Sequence, residues 1–226
     1  MDSQVNEPIA IKNLKIQFYR LLFLSIWLIL VIYTVIFSSM KGVNSTEVIF
    51  KLLTFDFSSI NPITVAIYNL MGIWPIIYLT MLYPDGKNKK VPSWPFLLAS
   101  FLFGIFIILP YFVLRDYKNL NPPKSDRVIR ILNHKVWLII LLVISLGIVN
   151  YGLLLGNFQD FLIHFQSNTF VHIMTIDFIA LTFLSPFIIW IDSQRYLVDQ
   201  HKNNIWILSF IPLIGTILYT IIKQFK

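Results

Sequence analysis

The chain has 226 residues, 57% of them hydrophobic and only 13% charged, with a mean hydropathy of +0.72. A soluble domain carries about 25% charged residues, so there is too little polar surface here to wrap a water-soluble body, and a bilayer is the expected solvent. The formal charge of +7 lies in short stretches between apolar runs, which points to an anionic membrane surface and not to nucleic acid. With no cysteine, disulfides and thiolate chemistry are excluded. His134, His164, His172 and His201 have no metal-ligand spacing, so neither a metal nor a cofactor is expected.

In chain order, a tail at 1–16 is acidic, then basic, and is expected to lead directly into membrane. A hydrocarbon core of about 30 Å needs roughly 20 apolar residues as a helix. Six runs qualify, at 17–39, 62–83, 95–114, 136–156, 170–191 and 205–222. The predicted fold is therefore all-α, with about six transmembrane helices. None of the runs alternates as a barrel strand would. Four of them contain proline, which membrane helices tolerate when neighbours satisfy the freed carbonyl.

The segments between the runs are short. Residues 44–59 open with a capping-box-like Asn44 and Glu47 and read as an interfacial helix, with 157–168 as its counterpart. "YPDGKNKKVPSW" (83–94) reads as a turn-rich loop. Residues 117–135, basic at both ends, form the linker between a first half (17–116) and a second (136–226).

The halves look related. "WLILVI" at 27–32 recurs as "WLIILL" at 137–142. Phe50, Thr64, Leu70, Pro75 and Ile77 fall in step with Phe161, Thr175, Leu181, Pro186 and Ile188, and "YFVLR" (111–115) with "YTIIK" (219–223). Three spans per repeat would make the halves inverted, an arrangement used by carriers with midplane sites. For orientation, the basic linker and the 157–168 loop, which has no Lys or Arg, favour a cytoplasmic linker, whereas Lys12, Lys15 and Arg20 argue the reverse.

Asp177 is the sharpest candidate for chemistry, because insertion scales put an ionised carboxylate at about +2.5–3.5 kcal/mol at a helix centre. It would face the bundle interior as a ligand-orienting or proton-exchanging group, or else sit close enough to the helix start to remain hydrated. Pro75 and Pro186 are expected to kink or partly unwind two helices, with Asn69, Tyr68 and Tyr78 adding polar capacity to a cavity. Asp192 and Arg195, three apart, form a candidate pair at the membrane rim, near the belt residue Trp190. No nucleophile elbow, Walker loop or HExxH motif occurs.

The cadence of the second half, an Asp177-bearing helix ending in "WIDSQR" followed by "WILSFIPLIGTILYTIIK", resembles small bacterial membrane proteins. More distantly it is similar to the neoxanthin-synthase-like family, partly matching its last helix through Pro212, Ile214, Gly215, Tyr219 and Lys223. "WPIIYLTMLYPDG" and "PSWPF…LPYFVLR" resemble integral membrane proteins of cyanobacteria and chloroplasts. These resemblances imply a photosynthetic (thylakoid-like) membrane and an isoprenoid or carotenoid-like ligand. The expected protein is a multi-pass one that handles a lipophilic molecule in a central crevice. The alternatives are a non-catalytic scaffold within a membrane protein complex and a proton-coupled carrier. The expected partners are the lipid bilayer and such a ligand or complex.

Overall fold

The computed structural model describes residues 9–41, 45–87, 89–117, 127–196 and 211–223, and no strand occurs among them. The helices are α1 (Ile9–Lys41), α2 (Thr46–Leu53), α3 (Pro62–Gly86), α4 (Trp94–Phe103), α5 (Ile105–Leu114), α6 (Arg127–Leu132), α7 (Lys135–Leu155), α8 (Phe158–Ser167), α9 (Thr169–Tyr196) and α10 (Ile214–Ile222). Four of them, α1, α3, α7 and α9, are long and apolar enough to cross a membrane. Most of α3 is buried and it forms the centre of the bundle, while α1 is largely exposed along its length, as a helix facing lipid would be. The predicted surface segments appear as α2 and α8; Asn44 lies outside the described residues.

The third apolar run departs from expectation. Instead of one crossing it forms two ten-residue helices, α4 and α5, broken at Gly104. Phe96, near the start of α4, packs on Tyr111, near the end of α5, with ring centroids 5.6 Å apart. In one continuous helix these residues would be separated by about 22 Å at 1.5 Å per residue. The two helices therefore lie side by side as a hairpin, each about 15 Å long, half the depth of a hydrocarbon core. Hydropathy is blind to this reversal, because twenty apolar residues score alike whether they cross or turn back.

Contacts with other helices fix the hairpin's direction. α5 runs antiparallel to α1, with Arg20 against Arg115, Phe23 against Phe112 and Trp27 against Phe106. The end of α5 thus returns to the level at which α1 begins and α3 ends. The last run is also short: its described part, α10, has nine residues, and 205–210 lie outside the described residues. Lys223, at the end of α10, reaches Asp192 near the end of α9, so α10 too ends on that side.

The hairpin brings the described residues 89–93 and 115–117 to the same end of the bundle, where Lys89 and Arg115 both meet Asp85. This redistributes the charge. Of the described lysines and arginines, all but Lys41 and Lys51 now lie on the side where α1 begins.

Because the chain has no cysteine, single cysteines report topology without background. Lys90→Cys and Arg127→Cys are expected to react with a membrane-impermeant maleimide from the same face, with Glu47→Cys and Gln159→Cys reacting from the other. Labelling of Lys90→Cys and Arg127→Cys from opposite faces would mean that the third run crosses.

Candidate functional site

The tip of the hairpin places irregular backbone at the level of the bundle centre, where no water is at hand to satisfy it. Asp177 resolves this. Its Oδ1 accepts a hydrogen bond from the Ile105 N–H at 2.7 Å, capping the first turn of α5 from across the bundle. Gly104 makes the approach possible. Its φ is +50°, and a Cβ there would lie 1.8 Å from Asp177 Oδ2. The carboxylate is buried at 6% exposure and faces the interior, one of the two placements its position allows. It meets a backbone N–H at a helix N-terminus, where negative charge is favoured.

Two of the helix prolines, Pro110 and Pro186, are met by side chains. Pro110 leaves the Phe106 carbonyl without its helical donor, and the Trp27 indole N–H donates to it at 2.8 Å. Pro186 does the same to Thr182, whose carbonyl accepts from Ser185 Oγ at 2.8 Å. α3 and α9 continue through Pro75 and Pro186 without unwinding, against the expectation of a cavity lined by freed carbonyls.

α5 and α10 each end in a buried anchor of one composition. Asp85, in the last turn of α3, accepts from Tyr111 Oη at 2.5 Å and pairs with Arg115 through Nε at 2.5 Å and Nη2 at 2.7 Å. Asp192, near the end of α9, accepts from Tyr219 Oη and Lys223 Nζ, each at 2.9 Å. In both, the phenol and the cation are four residues apart on the short helix, hence on one face. Burial opposes the charge on Arg115, but Asp85 outweighs it and holds the guanidinium above its ordinary range. Burial also pushes the Tyr117 phenol up, against the pull of Arg115.

Among the described residues, a seam opens between α1 and α9, floored by α5. Its middle is an apolar crevice of about 460 Å³ whose walls include Leu22, Ile26, Leu30, Leu109, Ala180 and Phe183. Toward the start of α1 the seam is bridged by Tyr19 against Phe187 and Trp190. At the other end it is closed by His172, stacked on Phe37 and Phe165 and hydrogen-bonded to Tyr33 Oη. Beyond Tyr19 lies a hollow of about 100 Å³ lined by Lys15, Tyr19, Arg115, Tyr117 and Trp190, next to a wider cleft bounded by Leu14, Phe18 and Gln194.

The predicted site residues do not converge. Tyr78 is buried and donates to the Leu181 carbonyl, tying α3 to α9. Asn69 donates to the Val65 carbonyl one turn back on its own helix, and Tyr68 is half-buried on α3; neither lines the crevice. His172 bonds Tyr33 and the Phe165 carbonyl, so no His–Asp relay forms with Asp177. Asp192 is buried and is met by Tyr219 and Lys223; the Arg195 side chain lies outside the described residues. Asp85 was overlooked because Pro-Asp-Gly reads as a turn, yet α3 runs through it to Gly86. The recurring Tyr and basic residue of "YFVLR" and "YTIIK" were the available signal. Compared with protein-family models, with curated proteins and with solved structures, the chain finds no match in any of the three.

Asp177→Asn keeps an acceptor for the Ile105 N–H and is expected to cost about 1 kcal/mol or less, whereas Asp177→Leu orphans a buried donor and should cost about 1–3 kcal/mol. Asp85→Asn leaves a buried guanidinium without its counter-charge, with an expected loss of about 3–5 kcal/mol. Denaturant unfolding in detergent micelles, followed by circular dichroism, measures all three.

Proposed function

We propose that the protein binds one long apolar chain, of isoprenoid or acyl type, in the crevice between α1, α5 and α9. A pocket of about 300–1,000 Å³ suits a ligand of this scale, and the crevice, at about 460 Å³, falls within it. That apolar, laterally open volume is the observation carrying the reading. The site is at the flank of the bundle, not at its centre. Ile179, Phe183 and Leu22 stay exposed along its mouth, so a chain enters sideways from surrounding lipid.

Asp177 acts on the site indirectly. It holds the tip of α5, and α5 supplies the floor through Ile105 and Leu109. A proton-coupled carrier is less well supported, since this carboxylate is engaged by backbone and lines no described cavity.

The same reading extends to architecture. The matched anchors, and the positive φ at Gly104 and Leu213 just before each short helix, support a duplication. With two crossings and a returning short helix in each, the halves would be parallel, not inverted. The basic side would face the cytoplasm.

Organic extraction of protein purified in mild detergent tests the ligand. A stoichiometric apolar molecule is expected from the wild type, and from Asp177→Asn, but not from Ala180→Phe, which fills the crevice. An extract of the wild type free of any such molecule would refute the reading and favour an assembly role.

A further inference from the structure

The crossing helix α7 carries two stripes, and among the described residues only one of them is covered. Leu138, Leu141, Ser145 and Gly152 are buried, and their spacing puts them on one face. α7 packs on α3 and α10, with Gly152 so near α3 that a Cβ there would lie 2.7 Å from that of Ala66.

The opposite face is exposed from end to end. Val136, Ile139, Val143, Leu146, Asn150 and Leu153 follow one another at alternating spacings of three and four, and all are exposed. This is the a/d pattern of a coiled coil, sustained for as long as a membrane crossing permits. Valine occupies the a positions 136 and 143, and leucine the d positions 146 and 153. That combination favours two parallel strands.

An apolar face alone would mark only contact with lipid. Asn150, the third a residue, is what lipid does not explain. Asn157, just beyond α7, lies at the polar end of the bundle, where its carbonyl accepts from Asn61 Nδ2 at 2.7 Å beside Asp160. Asn150 is seven residues inside that level, about 10 Å at 1.5 Å per residue, and therefore within hydrocarbon. Its Nδ2 donates to the Leu146 carbonyl at 2.9 Å, which uses one of two N–H bonds. Its Oδ1 accepts from no described residue. Polar groups at such depth normally face protein, because an amide left unsatisfied there is costly. This one is exposed, so a partner can reach it. Gly147, one turn earlier, has nothing within 4 Å of where a Cβ would stand, which leaves room for a second backbone to draw close.

We propose that the protein is a parallel homodimer, joined by a short left-handed coiled coil of its two α7 helices with Asn150 paired across the axis. Copies inserted the same way round run these helices parallel about a two-fold along the membrane normal, with a facing a and d facing d. An amide is self-complementary: each Oδ1 accepts the spare N–H of the other copy. Polar residues act as glue between membrane helices, and a single a-position asparagine fixes register and strand number. None of the stripe residues lines the apolar crevice, so the dimer stands or falls independently of the ligand.

The absence of cysteine lets the full-length chain report this seam in liposomes. Val136→Cys, Val143→Cys and Leu146→Cys are expected to form disulfide-linked dimers on mild oxidation. Ile144→Cys and Ile32→Cys, exposed but off the seam, should stay monomeric. Asn150→Leu should weaken association about three- to twentyfold, the span of interhelical polar contacts in membranes. Single-molecule photobleaching of copies labelled through Lys90→Cys, at falling protein-to-lipid ratio, reads that change. Because Asn150 is exposed, the melting temperature of Asn150→Leu should match wild type. Single-step bleaching of wild type at every ratio overturns the proposal. Disulfides as abundant from Ile144→Cys or Ile32→Cys as from Val143→Cys would do so too, as would an Asn150→Leu protein that associates as tightly as wild type.

Discussion

A helix that stops halfway through hydrocarbon exposes N–H groups that only protein can answer, and this constraint organises the molecule. The chain reverses at Gly104, and the Ile105 N–H that results is met by Asp177 from a helix 72 residues away. The costly carboxylate and the costly backbone break offset one another. Neither would be tolerable alone at that depth. The glycine completes the arrangement, since any Cβ at 104 would occupy the position of the carboxylate. Two further discontinuities obey the same logic: Trp27 answers the carbonyl left by Pro110, and Ser185 the one left by Pro186.

The outer ends of the short helices pose the opposite problem. Asp85 lies in the last turn of α3 and Asp192 near the end of α9, where the helix dipole disfavours negative charge. Each is compensated by a cation at the C-terminus of a neighbouring short helix, where positive charge is favoured. One exchange thus repairs two unfavourable placements and pins the short helix to a crossing one. A tyrosine hydroxyl supplies a further donor to each carboxylate, as a buried ion pair requires to be net favourable. The hairpin is held at its tip by a lone carboxylate and at its return by a full ion pair, a rigid floor for the seam.

Much of this was legible in the sequence, and the omissions have physical causes. The runs at 17–39, 62–83, 136–156 and 170–191 declare themselves because about twenty apolar residues have little alternative in a bilayer. The surface helices between them follow from their mixed composition. The sequence left Asp177 between an inward aim and a hydrated helix start. Its partner was not legible, because a backbone N–H carries no sequence signature and is brought there only by chain reversal. The reversal itself left one mark, a glycine midway along the 95–114 run, which is equally at home where two helices pack closely. That single misread segment changed the parity of every later crossing. It turned a lopsided charge distribution into an apparently balanced one, and hid the parallel arrangement now proposed for the two halves behind an inverted one.

The solvent also decides where selectivity can reside. A lipid tail moving from bilayer into the crevice leaves one apolar medium for another, so burial of its surface contributes little beyond van der Waals packing. The residues along the mouth, Ile179 and Phe183 among them, remain open to lipid, and many chains would pack there nearly as well as any one. Discrimination among apolar chains in such a seam would have to come from groups whose alternatives differ sharply in energy. The apolar floor held by Asp177 and the arginine anchored by Asp85 are joined by the short helix α5, so the buried carboxylates that repair the chain's reversal also fix the shape of the seam.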